Sequence, residues 1–128
     1  MAKVTQLMIQ AENKPGVLAH ICSELAKVAV NINAILASPP DHESGIRIVA
    51  APHATAKKVL DNLNIPYREE DAVAVRLSDR PGALGKVTRK LADKGINIQY
   101  AYGSIVKGEG RALIIMGVSD VNKAADLV

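Results

Sequence analysis

Near the N-terminus the chain alternates. Leu7 and Ile9 fall on one side of an extended segment, and Gln6 and Gln10 fall on the other. A period of two predicts a strand with one buried face. After Asn13-Lys14-Pro15-Gly16 the period lengthens to three and four, and Val17, Leu18, Ile21, Leu25 and Val28 form one apolar stripe. That stripe predicts an amphipathic helix. Asn suits the cap of such a helix, and Pro, which has no amide proton to leave unpaired, suits its first turn. Two more strands are predicted at 32–38 and 45–51. The turn-rich segment from Pro39 to Gly45 separates them, so they read as a hairpin. A second helix follows at 54–64 with Val59, Leu60 and Leu63 inward. The segment Tyr67-Arg68-Glu69-Glu70-Asp71 reads as a short strand running on into what comes next.

The same series then starts again. Val73, Val75 and Leu77 alternate with Arg76, and Asp79-Arg80-Pro81-Gly82 precedes a second stripe of Leu84, Val87, Leu91 and Ala92. Gly95 supplies a helix stop. Strands at 98–106 and 111–118 flank a turn containing Gly108-Glu109-Gly110. At a constant offset of 66, the step from Asn13 to Asp79, Pro15, Gly16, Leu18, Leu25, Ala26, Asn31, Ile32, Ser38, Glu43 and Ile48 fall on Pro81, Gly82, Leu84, Leu91, Ala92, Asn97, Ile98, Ser104, Glu109 and Ile114. A match of that length marks an internal repeat, and two copies make two small units of one fold rather than a solenoid.

The expected fold class is α+β: two tandem ferredoxin-like βαββαβ units, 1–70 and 71–128, each an antiparallel sheet with helices on one face. Their cores should hold Leu7, Ile9, Ile21, Leu25 and Ile48 in the first unit and Val73, Val75, Val87, Leu91 and Ile114 in the second. The second unit is C-terminally incomplete, because its last helix begins near Val121 and the chain stops at Val128. It lacks its last strand, which leaves the strand edge along Ala72–Leu77 open. The simplest cover is a second copy, so a homodimer is expected.

Composition narrows the function. Hydrophobic residues make up 48 % of the chain, enough for a core, and only three residues are aromatic, all of them Tyr. The net charge of +3 comes from 16 basic residues scattered among 13 acidic ones. With no basic stripe and almost no rings to stack on bases, no nucleic-acid partner is expected. The single cysteine excludes an intramolecular disulfide. No apolar run approaches the roughly 18 residues of a membrane span, and the N-terminus lacks a signal-peptide core. A soluble, cytoplasmic protein with no membrane partner is expected. His20 and Cys22 are two apart on a helix and do not share a face, and His42 and His53 lack neighbours at zinc spacing, so no metal and no cofactor are expected. Gly108-Glu109-Gly110 is a turn rather than a phosphate loop. The Asp41-His42-Glu43 group sits in a loop without a nucleophile and base in pairing positions, so no enzyme is expected. Tyr100 and Tyr102 share a strand face and suit a cavity wall, a contact between units or the core.

The paired Asn/Asp-x-Pro-Gly at the first strand–helix junction, Asn-Ile opening the second strand, the element order and the duplication together resemble the ACT domain family, in its small stand-alone tandem form. The resemblance covers essentially the whole chain. It implies a regulatory protein that binds an amino acid or similar small metabolite at the strand–helix loops. It implies ligand-binding roles for Asn13, Gly16, Val17, Leu18 and Asn31, and for Asp79, Gly82, Ala83, Leu84 and Asn97. Backbone amides at a helix start form a natural anion site, and glycine lets a ligand reach them. The chain departs from some amino-acid-binding relatives by carrying Ala11, and Leu77 in the second copy, where they carry a His before the motif. The copies also differ from each other, Asn13 against Asp79, so their sites need not be equivalent. The alternative is a ligand-independent interaction module or a regulatory subunit with a metabolic enzyme as partner.

Overall fold

In the computed structural model, which describes residues 1–12, 14–38, 45–105, 108 and 110–127, the segment from Tyr67 to Ser78 is one strand of 12 residues. The expected short strand and the first strand of the second copy are thus a single element. In chain order the elements are β1 (Ala2–Ile9), α1 (Val17–Lys27), β2 (Asn31–Ala37), β3 (Ile46–Ala51), α2 (His53–Asn62), β4 (Tyr67–Ser78), α3 (Ala83–Asp93), β5 (Ile98–Ile105), β6 (Arg111–Val118) and α4 (Val121–Ala125). Among the described residues, no helix is long and apolar enough to cross a membrane.

The chain divides into two units, Thr5–Glu70 and Met1–Val4 together with Asp71–Val128. In the first, the strand order is β2-β3-β1-β4, and Leu7 lies opposite Ile48 in the antiparallel β1–β3 ladder. Period two on the strands and period 3.6 on the helices meet at one place. Leu7, Ile9, Ile46, Ile48 and Ala50 pack with Ile21 and Leu25 of α1 and with Ala56 and Leu60 of α2. Each large aliphatic side chain removed from water there contributes about 1.5–3 kcal/mol. In the second unit the order is β1-β4-β6-β5. Val73, Met116, Val118, Leu91, Ile96 and Ala124 form its core, with Val75, Val87 and Ile114 packed half-buried against them.

The structure corrects the expected open edge and the expected boundary. No strand follows α4 among the described residues, yet β4 is not bare. Met1–Val4 belong to this unit rather than to the first, and β1 is the hydrogen-bonded neighbour of β4. The Met1 ammonium donates to the Leu127 carbonyl at 2.9 Å, the Met1 side chain packs on the second core, and the Lys3 ammonium lies 3.4 Å from the Asp71 carboxylate. The chain's own N-terminus takes the place of the missing strand. Ala2 and Val4 are apolar at even positions, out of phase with Leu7 and Ile9, so alternation alone does not tie them to the first core.

The ladders also correct the ungapped repeat. Leu7 pairs with Ile48, but Val73 pairs with Met116. Ile48 therefore corresponds to Met116 and not to Ile114, so the second copy carries two extra residues in its hairpin. The matched pair Glu43 and Glu109 lies outside the described residues. Four side chains depart from the expected pattern. Val28 follows the end of α1 and is exposed, as are Leu84 and Ala92 on α3, whereas Gln6 is fully buried on the sheet face opposite the helices.

A chain lacking residues 1–4 behind a fresh initiator methionine should lose at least about 2 kcal/mol in the second unit. It gives up the Met1 packing and leaves the backbone of β4 unpaired. Urea unfolding of the shortened and full chains measures the difference, and equal midpoints would contradict the assignment.

Candidate functional site

Both Pro-Gly motifs solve the same backbone problem. The chain leaves a strand, reverses, and enters a helix whose N-cap is Gly16 at φ 90°, ψ −19° in one copy and Gly82 at φ 88°, ψ −12° in the other. This left-handed conformation costs a residue with a Cβ about 1–2 kcal/mol and costs glycine little. The turn closes through Val17 N–H donating to the Lys14 carbonyl and Ala83 N–H donating to the Arg80 carbonyl, each at 3.3 Å. Neither helix has a side-chain cap. The expectation that Asp79 caps α3 is thus corrected, since glycine holds the cap position and no side chain bonds the helix start. Asn13 lies outside the described residues.

The next amides are the chemically active part. The first helical bonds are His20 N–H to the Gly16 carbonyl and Lys86 N–H to the Gly82 carbonyl, each at 3.0 Å. That leaves the N–H groups of Leu84 and Gly85 without an acceptor among the described residues, as it does those of Leu18 and Ala19. A Cβ built on Gly16 or Gly82 meets nothing within 4 Å, so the space beside each glycine is open. Unbonded amides at the positive end of a helix dipole suit an anion. In the second copy Asp79 lies three residues before Gly82 in the chain. Its N–H donates to the Gly110 carbonyl at 2.9 Å, which ties the loop to the β5–β6 hairpin. Its carboxylate is exposed. Ala83 is half-buried, and Leu84 is 45 % exposed, an apolar surface next to the free amides.

In the first copy the loop borders a small cavity of about 30 Å³ between Glu12, Lys14 and Leu18 on one side and Ala37, Ser38, Gly45 and Ile46 on the other. That is room for a water molecule or two, since about 10–15 Å³ is the minimum for one. Lys14 and Glu12 form an exposed ion pair at 2.8 Å. The Lys14 ammonium, by hydrogen bond and by charge, holds the Glu12 carboxyl below its ordinary range. Val17 and Leu18 are half-buried and pack on the core beneath.

Asn31 and Asn97 are not brought to these loops within their own units. Asn31 lies beyond the far end of α1, whose 11 residues span about 16 Å. The part of β2 beside the Lys14 loop is its other end, Ala37. The Asn31 side chain donates to Asn33 Oδ1 at 2.9 Å. Asn97 lies beyond the end of α3, exchanging backbone and side-chain bonds with Ser119 at 2.9 Å. The residues that do face the first loop, Ala37, Ser38, Gly45 and Ile46, are small or aliphatic and carry no chemical signature. The hairpin return was the only signal that placed them there.

The remaining candidates have structural surroundings. His53 Nε2 lies 3.0 Å from Glu69 Oε1, which also receives Lys57 Nζ at 2.8 Å. The Asp41-His42-Glu43 group lies outside the described residues. Among the described residues no three His, Cys, Asp or Glu side chains gather as a metal site would require. Tyr100 lies across Gly117 on the sheet face away from the helices.

The sequence profile described as "ACT domain pair" matches residues 2–128. Among solved structures, the protein BT0572 from Bacteroides thetaiotaomicron is 28 % identical, with a TM-score of 0.86 over 95 % of this chain and 83 % of that one. The ligand-free regulatory subunit of aspartate kinase from Thermus thermophilus is 18 % identical, with a TM-score of 0.67 over 98 % of this chain and 89 % of that one. The corresponding subunit from Thermus flavus is 19 % identical, with a TM-score of 0.65 over 98 % and 88 %. No functionally curated protein matches the sequence.

Replacing Gly16 or Gly82 by Ala should cost about 1–2 kcal/mol each, all of it backbone strain, because the added methyl group meets no neighbour. Chemical denaturation of each variant tests this, and an unchanged midpoint would mean the left-handed cap is not populated.

Proposed function

The chain belongs to the ACT domain pair family, and on that premise we propose that it is a non-enzymatic regulatory protein that binds an amino acid, or a similar small metabolite, at its strand–helix loops. The observation that carries the reading is the second loop. The free Leu84 and Gly85 amides behind Gly82 suit a carboxylate, the exposed Asp79 carboxylate suits an ammonium, and Leu84 offers an apolar surface to a side chain. These are the three parts of an α-amino acid. In the first loop the carboxylate of Glu12 is already paired with Lys14, so the two sites differ in charge and the Asp79 loop is the stronger one. Binding acts as a regulatory signal by favouring whichever state of the protein it fits better.

Thermal melting in the presence of each common amino acid tests the proposal. At least one should raise the midpoint, and Asp79→Asn should then weaken that ligand about tenfold, the effect of losing one charge-assisted hydrogen bond. If none stabilises the chain, the reading fails in favour of a ligand-independent interaction module or regulatory subunit of a metabolic enzyme.

A homodimer is part of the same proposal, on new grounds. The β4 edge that first suggested it is closed by Met1–Val4. Support now comes from β2 and β5, which end the strand order of their units. Neither contains a charged residue or a proline, the usual guards against edge pairing. Sedimentation equilibrium at micromolar concentration should give twice the 13.6 kDa of one chain, and the mass of a single chain with and without ligand would overturn it.

A further inference from the structure

The second unit carries a groove of about 580 Å³ that the ligand loops do not use. It runs along residues 1–4, 74–76 and Leu113, and the side chains that wall its outer face are those of Ala2, Val4, Ala74, Arg76 and Leu113. Arg76 lies opposite Leu113, and both alternate with the core residues Val75 and Ile114. The groove therefore lies on the sheet face opposite the helices. The same face of the first unit is filled differently, for a reason legible in its described side chains. Met8, which the repeat matches to Ala74, is 2 % exposed and lies across Gly45. Arg47 on that face is bonded to Glu70 at 2.9 Å, and Arg68 reaches the same carboxylate at 3.1 Å. In the second unit the methionine is replaced by Ala74 and the strand beside β4 brings Ala2 and Val4 instead of an acid. Arg76 is exposed and makes no ion pair or hydrogen bond among the described residues.

We propose that this groove binds a small aliphatic carboxylate, with the hydrocarbon chain along Ala2, Val4, Ala74 and Leu113 and the carboxylate on the Arg76 guanidinium. The volume falls in the range of small-molecule sites. The guanidinium presents a planar pair of donors that fits a carboxylate. Lys3 is engaged with Asp71, which leaves Arg76 as the unpaired charge of the described lining, and a guanidinium repels a ligand ammonium. The fitting acid therefore lacks an amino group, which separates this site from the Asp79 loop.

Calorimetry with octanoate and with octan-1-ol tests the inference. Octanoate should bind saturably, one per chain, and octan-1-ol about tenfold more weakly for want of the charged hydrogen bond. Arg76→Gln should bring the two ligands together in affinity. Ala74→Met should remove binding of both by restoring the side chain that fills the first unit's face. Thermal melting confirms that both variants are folded. Asp79→Asn should leave octanoate binding unchanged, so failure of the amino-acid site and failure of the groove are told apart. Absence of saturable octanoate binding, or an Arg76→Gln variant that still prefers the acid, overturns the proposal.

Discussion

The backbone of a strand edge must be paired, covered or guarded, and the way β4 meets that requirement shapes the rest of this structure. β4 is one strand of 12 residues whose first four residues close the sheet of Thr5–Glu70 and whose remainder opens the sheet of the second unit. β1 is divided in the same manner, with Met1–Val4 in one unit and Thr5 onward in the other. Each unit thus completes its sheet with residues from the far side of the repeat. Two separate four-stranded units would need eight strands, and the described residues form six. The consequence is energetic as well as topological. The second core includes the Met1 side chain, so a cut between Glu70 and Asp71 would take away part of that core and leave the amides of β4 to water.

Sequence patterning was sufficient where one element's own period decides its fate. The stripes Ile21, Leu25 and Val87, Leu91 predict α1 and α3, and the alternation of Leu7, Ile9 and of Val73, Val75 predicts the strands that those helices cover. Legibility fails where the deciding partner is distant. Nothing in Ala2-Lys3-Val4 says which unit those residues serve. The ungapped offset held through Ser104, then failed because an insertion in a hairpin leaves each strand's alternation intact while changing which residues face each other. Gln6 looked solvent-facing by alternation alone, yet it is buried on the second face of the sheet.

The candidate site was legible in one respect and misleading in another. Gly16 and Gly82 were found by motif, and both begin helices. Asn31 and Asn97 were found by the same motif but lie at the opposite end of their helices. The chain distance from Gly16 to Asn31 is spent almost wholly on α1, and an 11-residue helix carries its two ends about 16 Å apart. The residues that return to the loop arrive after a further strand. A motif that spans a helix therefore names two places in the fold unless something folds one end back on the other.

The recurrence of Pro-Gly has a physical basis that is separate from any ligand. A strand entering a helix through a left-handed cap needs glycine at the cap, and the proline two residues into the turn limits the unfolded chain at no hydrogen-bonding cost. Both copies need this whether or not they bind anything, so the motif alone distinguishes nothing. What distinguishes the copies lies around the shared turn. One has a paired Glu12 and Lys14 beside a cavity of about 30 Å³, and the other has an exposed Asp79 and the open amides of Leu84 and Gly85. On the opposite face, one has Met8 packed over Gly45, and the other has Ala74 beside Arg76. The backbone demands of the fold were met twice in the same way, while the surfaces those demands leave free took on different charge and different room.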